Sequence, residues 1–177
     1  MKTIFSLLLF SLLVPLASAQ SEQTMNIKLY FPNNKLGSSD CVAKVFPVER
    51  KIPKTPGVAR ATLEQLFAGP TEAEKAKGFY SDFSPDTRSF FLSVNIRDGN
   101  SYVNLNDPTL TPVTGNFTTS CGGSNLFGQV ENTLKQFPSV KKVFFAIKGD
   151  PALFYDWMQI GECPKELKNC DGSNFLK

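Results

Sequence analysis

The sequence predicts an α+β domain: a small antiparallel or mixed sheet with two helices packed on one face, in the order β-β-α-β-β-α-β. Three observations predict it. Apolar and polar residues alternate with period two in several short stretches. Two longer stretches carry apolar residues at helical spacing instead. Hairpin and helix signals also follow one another singly, rather than in repeated strand–helix units.

Ile27, Leu29 and Phe31 alternate with Lys28 and Tyr30, which is the pattern of a half-buried strand. After the turn-rich PNNKLGSSD, a second extended segment places Phe46, Val48, Arg50 and Ile52 on one side, with Pro47 marking an edge or bulge. Thr55 is the expected cap of the first helix and Pro56 suits its first turn. Ala59, Leu63, Leu66 and Phe67 form its apolar face. Gly69 fits the left-handed residue past a helix end, Pro70 cannot continue the helix, and Thr71 with Glu74 forms a capping box for one more turn.

An aromatic loop follows. Phe90, Leu92, Val94 and Ile96 then alternate as a strand, and Asp98-Gly99 is a hairpin turn into Tyr102–Leu105. A Pro- and Thr-rich loop covers 106–123. A second helix is expected from Ser124 to Phe137, with Leu126, Phe127, Val130, Leu134 and Phe137 inward. Val143, Phe145 and Ile147 alternate in a last strand, and the tail 150–177 holds a helical turn at Ala152–Met158.

Composition narrows function. Residues 1–19 combine Lys2, an apolar stretch and Ala17-Ser18-Ala19, as a secretory signal peptide does. The apolar stretch is shorter than the roughly 20 residues a membrane span needs, so no stable membrane insertion is expected after cleavage. Residues 20–25 read as a polar leader before the domain at 26–149. Nineteen basic against 16 acidic residues, without long runs, do not form the basic stripe of a nucleic-acid binder. The chain has no histidine, which removes Ser-His-Asp triads, Cys-His pairs, and histidine metal ligands. Composition leaves carboxylate pairs, a lysine base or a cofactor open.

The four cysteines, Cys41, Cys121, Cys163 and Cys170, match no zinc spacing; in an exported chain they imply disulfides, with three connectivities open. The preferred pairing is Cys41–Cys121, which closes a long loop, and Cys163–Cys170, which staples the tail. The competing reading of Cys121-Gly122-Gly123-Ser124, a nucleophilic thiol near a helix start, has no histidine to act as base.

The segments IKLYFPN, VFPVERKIPKTPGVARATLEQLFAGPTEAEKAKGF, DGNSYVNL and VENTLKQFPSVKKVFFAIKG together resemble the GerMN domain, over about residues 26–149. The Leu-x-x-Leu-x-x-Gly-Pro-Thr run and the Asn-Thr-Leu-x-Gln-Phe-Pro-x-Val run carry the resemblance most specifically. That domain takes its name from a sporulation and spore-germination lipoprotein and occurs in exported bacterial proteins. The resemblance implies a fold similar to ring-building domains of secretion machines, no enzymatic activity and no cofactor. It also implies association with an envelope protein or with itself, and it supports the Cys41–Cys121 pairing. This sequence departs from the founding member in lacking a lipobox cysteine and in holding one copy of the domain where the founder has two.

The remaining candidates are weighed by residue type. Gly69-Pro70-Thr71 lacks the converging glycines, Lys and N–H groups of a phosphate loop, so a helix stop is expected. Phe79, Tyr80 and Phe83, with Phe154, Tyr155 and Trp157 in the tail, are the candidate partner or ligand surface, with core packing as the competing role. Asp82 with Asp86, or Glu72 with Glu74, are the acid pairs that hydrolysis of cell-wall glycan would need. A glycan-binding or weakly hydrolytic protein is therefore the alternative to an interaction domain. Asn116-Phe117-Thr118 matches a glycosylation sequon; the resemblance to bacterial proteins implies a chance match.

Overall fold

The computed structural model describes residues 23–37, 44–111 and 117–176. The expected signal peptide at 1–19, Cys41 and Asn116 lie outside them. Among the described residues no helix is long and apolar enough to cross a membrane.

Strands β1 (Thr24–Pro32) and β2 (Val45–Pro53) pair antiparallel. The leader expected to reach residue 25 is thus partly strand: β1 already pairs Thr24 with Pro53. Helix α1 (Val58–Phe67) follows. Its cap is Gly57, two residues later than expected, because Thr55 Oγ1 accepts the N–H of Gly57 (3.2 Å) and closes a turn ahead of the helix. Gly69 ends it as the sequence requires, with φ +74°. A side chain there would also run into the carbonyl of Phe83, so the position is fixed twice, by backbone conformation and by close approach.

Thr71 and Glu74 form the expected capping box at α2 (Glu72–Ala76). A 3₁₀ turn at Pro85–Phe90 then leads into β3 (Phe91–Arg97), β4 (Asn100–Leu105), α3 (Ser120–Lys135), β5 (Lys142–Ile147) and α4 (Pro151–Trp157). Asp98 and Gly99 both take positive φ between β3 and β4, the geometry of the expected hairpin turn.

The chain is α+β as expected, but its five strands form two sheets rather than one. β1–β2 stands apart from β3–β4–β5, in which β4 and β5 run parallel. The physical reason is α3, which crosses between β4 and β5 and packs on β1 and α1. Its side chains complete the free edge of β1. Thr133 Oγ1 accepts the N–H of Tyr30 (3.0 Å), while the Gln136 amide accepts from Lys28 N (2.8 Å) and donates to Lys28 O (2.6 Å). A second strand cannot bind where a helix already supplies the partners.

The core is rich in phenylalanine. Ring contacts run from Phe67 to Phe83 (4.4 Å), from Phe83 to Phe117 (5.6 Å) and from Phe117 to Phe90 (6.2 Å). They continue through Trp157 (5.9 Å) and Phe154 (6.1 Å) to Phe145 (5.0 Å). Phe90 was expected as the first inward residue of a strand; it is buried in the 3₁₀ turn instead, and β3 begins with a register shift between Phe91 and Ser93. β5 also departs from alternation, since residues 144–147 are all buried. Phe145 faces Phe127 and Phe154, while Phe144 lies against Tyr102 on the opposite face.

One ion pair joins these parts. The Arg50 side chain (12% exposed) reaches from β2 to Glu74 (11%). Nε donates to Glu74 Oε1 (2.9 Å) and Nη2 to Oε2 (2.5 Å). Nη2 also donates to Gly69 O (2.9 Å), and Nη1 donates to Gln65 O (3.2 Å) and Gln65 Oε1 (3.3 Å). All five guanidinium N–H groups are therefore accounted for, and the group lies over the Phe31 ring at 5.8 Å. Burial pushes the Glu74 carboxyl up. The Arg50 and Thr71 hydrogen bonds and the Arg50 charge outweigh this and hold it below the usual carboxylate range.

A carboxyl whose folded pKa is depressed adds stability above its unfolded pKa, and that stability is lost as pH falls through the folded value. Glu74→Gln, which leaves a buried cation uncompensated, is expected to lower the unfolding free energy at pH 7 by about 3 kcal/mol in urea titrations. The deficit should shrink as pH drops through and below the carboxylate range.

Candidate functional site

The loop 77–84 is held from beneath, and that positions a polar cleft that gathers residues singled out from sequence. Phe83 is buried between Phe67 and Phe117. Ser81 Oγ donates to Gln129 Oε1 (2.6 Å) and accepts the N–H of Phe83 (3.0 Å). At the other end Tyr80 N donates to Pro32 O (3.0 Å). With the loop fixed at these points, Tyr80 (36% exposed) and Asp82 stand on a cleft of about 240 Å³. Across from them are Thr119, Cys121, Gly122, Asn125 and Gln129 of α3 and its cap.

α3 begins four residues earlier than expected. Thr119 Oγ1 accepts the N–H of Gly122 (3.1 Å), a cap strong enough to draw Cys121-Gly122-Gly123 into the first turn. Gln129 is fully buried, its amide donating to Asn125 O (3.1 Å) while its oxygen receives Ser81. Asp82 is partly buried, and desolvation raises its carboxyl above the usual range.

The structure separates the remaining candidates. Asp86 sits exposed in the first turn of the 3₁₀ helix, and Asp82 is the only carboxylate lining the cleft among the described residues. The cleft therefore does not assemble the two acids that glycoside hydrolysis needs. Glu74 is committed to Arg50 and Thr71, and Glu72 pairs with Lys75 at the surface (2.8 Å). Cys121 is disulfide-bonded, which removes it as a thiol nucleophile. Cys163 and Cys170 are joined to each other, as preferred. Among the described residues no three or more Cys, Asp or Glu gather as a metal site.

The expected aromatic surface is largely interior. Phe83, Phe154 and Tyr155 are buried, and Phe79 and Trp157 are partly buried. The reason is that the loop and α4 each place an aromatic against a neighbouring ring, Phe83 on Phe67 and Phe154 on Phe145. Tyr155 also bonds the Phe145 backbone through its hydroxyl, which burial pushes up to about 12. Sequence reasoning missed Arg50, Asn125, Gln129, Thr133 and Gln136 as structural or cleft residues. The available signal was a polar residue inside an apolar stripe: Arg50 beside Val48 and Ile52, and Gln129 beside Leu126 and Val130.

A family model described as Germane, sporulation and spore germination, matches residues 28–153. The chain belongs to this family. Among solved structures, the tandem GerMN domains of the sporulation protein GerM from Bacillus subtilis match at 21% identity and a TM-score of 0.50, covering 72% of this chain and 40% of that one. The first GerMN domain of the same protein matches at 19% identity and a TM-score of 0.45, covering 71% and 84%. This chain thus spans less than half of the tandem protein. No curated protein matches the chain. The family match runs from β1 into α4, and it contains Arg50, Glu74, the cleft and α3; the segment after Leu153 lies outside it.

A carboxyl raised by burial weakens the fold when ionised and does nothing once both states are protonated. Asp82→Asn is therefore expected to raise the thermal midpoint at pH 7, with the gain vanishing as pH falls below the carboxylate range.

Proposed function

We propose that this domain is a non-enzymatic, extracytoplasmic interaction module that docks an envelope protein or a second copy of itself. The observation that carries this reading is where the polar groups are committed. The Arg50 guanidinium, the Gln129 and Gln136 amides and the Glu74 carboxylate all serve the chain's own backbone and side chains. What faces outward between the start of α3 and the end of α4 is a groove of about 390 Å³. It is lined by Phe127, Met158 and Ile160 beside the hydroxyl residues Thr118, Ser120 and Ser124. Ile160 is half exposed. A half-exposed isoleucine beside a row of hydroxyl groups suits an anchoring side chain of a protein partner. The expected export signal and the Cys163–Cys170 disulfide support a place outside the cytoplasm.

Crosslinking in the producing cell followed by capture, together with sedimentation of the purified chain, tests this. Ile160→Asp is expected to reduce captured partner or self-association at least about tenfold with the thermal midpoint unchanged. A monomer that captures nothing overturns the reading.

The second reading is a glycan-binding module, favoured by Tyr80, Asp82 and Asn125 around one cleft. Carboxylate and amide groups suit sugar hydroxyls, and a tyrosine flanks them as an apolar wall. Co-sedimentation with peptidoglycan that Asp82→Asn abolishes would select this reading, and release of soluble fragments would make it hydrolytic.

A further inference from the structure

Past α4 the chain crosses the far side of the β3–β4–β5 sheet as a strap with one short turn, Lys168–Cys170. It is docked at several points. Phe175 is fully buried, edge-on to Tyr102 with ring centroids 5.3 Å apart, and Tyr102 packs in turn on Phe144. Asn95 Nδ2 donates to Asn174 O (2.9 Å), Arg97 Nη1 to Asn174 Oδ1 (3.3 Å), and Lys142 Nζ pairs with Glu166 Oε1 (2.6 Å). The chain is built for this closeness. A Cβ on Gly172 would strike the carbonyl of Gly149, and one on Gly149 would strike Leu176.

The disulfide joins Cys163 to Cys170 within this strap and encloses Leu167, which is buried. Both cysteines are partly exposed, on a hollow of about 460 Å³ lined also by Gly161, Glu162 and Lys165. Asn169 and Cys170 each hold φ +54°, a left-handed conformation that residues with a Cβ disfavour. Two consecutive left-handed residues thus end the ring, at a place a small thiol can enter.

We propose that Cys163–Cys170 is a thiol-exchange site that governs whether the strap stays on the sheet. A thiolate of an external dithiol attacks one sulfur, the protein S–S bond breaks, and a mixed disulfide forms while the other cysteine leaves as thiolate and takes up a proton. The second sulfur of the dithiol then displaces the remaining cysteine sulfur, which is protonated in turn. The protein gains two thiols and the dithiol becomes a cyclic disulfide. Opening the ring releases Asn169 and Cys170 from their left-handed backbone, loosens Leu167 and Phe175, and uncovers the Tyr102–Phe144 face. Because docking and disulfide are coupled, undocking must equally ease reduction.

The test uses the full oxidised chain. With dithiothreitol, then alkylation and peptide mass spectrometry, Cys163 and Cys170 are expected to label at least about tenfold sooner than Cys121. In a Cys163→Ser/Cys170→Ser variant, amide exchange across 164–176 is expected to quicken about tenfold while α1 and α3 keep their protection. Phe175→Ala, which leaves the cysteines intact, is expected to shift the equilibrium between Cys163–Cys170 and mixtures of reduced and oxidised dithiothreitol toward the two thiols by about tenfold. Four results each overturn the proposal: equal labelling of Cys121, unchanged strap exchange in the serine variant, exchange gains that spread to α1 and α3, and an unaltered reduction equilibrium in Phe175→Ala.

Discussion

The placement of nearly everything on one side of this domain depends on the Arg50–Glu74 pair. Arg50 projects from β2, a strand in a two-stranded sheet, and its guanidinium takes hold of the last turn of α1, the Gly69 carbonyl and α2. Glu74 serves twice, closing the capping box on Thr71 while pairing with the cation. A buried ion pair is usually a weak source of net stability, because desolvation offsets attraction. Here its value is geometric. Five donors with five acceptors admit one arrangement of β2, α1 and α2, and that arrangement sets where the chain enters the loop 77–84. The loop in turn carries Phe83 into the core and Ser81 to Gln129, so the cleft beside α3 inherits its shape from a contact on another face.

How far the sequence revealed this follows from the range of each interaction. The strands β1 and β4, the stop at Gly69-Pro70 and the capping box at Thr71 rest on contacts between near neighbours, and period and turn chemistry expose them. The split into two sheets rests on Gln136 and Thr133 meeting Lys28 and Tyr30 about a hundred residues away, and no local pattern announces that. Phe90 read as strand because it continues the alternation of Leu92 and Val94; Pro85 and the Ser84–Thr87 contacts turn it into the preceding 3₁₀ helix instead. The start of α3 was misplaced because two glycines look like loop, whereas the Thr119 cap outweighs their poor helix propensity.

The cleft was legible only in halves. Tyr80, Asp82 and Cys121 stood out as residue types, while Asn125 and Gln129 lie on a helix read as plain apolar packing. The tail aromatics show the limit of composition. Phe154, Tyr155 and Trp157 suit an exposed platform or a buried cover equally well, and what decides is that Phe145 and Phe90 lie opposite them.

The edge of β1 has a consequence for how copies of this domain could meet. Exposed strand edges are adhesive without much selectivity, since backbone groups are the same in every chain. With Lys28 and Tyr30 already occupied by Gln136 and Thr133, that edge cannot seed a continuous ribbon of sheet from one molecule to the next. Recognition along this side has to be read by side chains on helix and loop surfaces, which differ from protein to protein. Open-ended fibre growth by sheet extension through β1 is thereby blocked on this side.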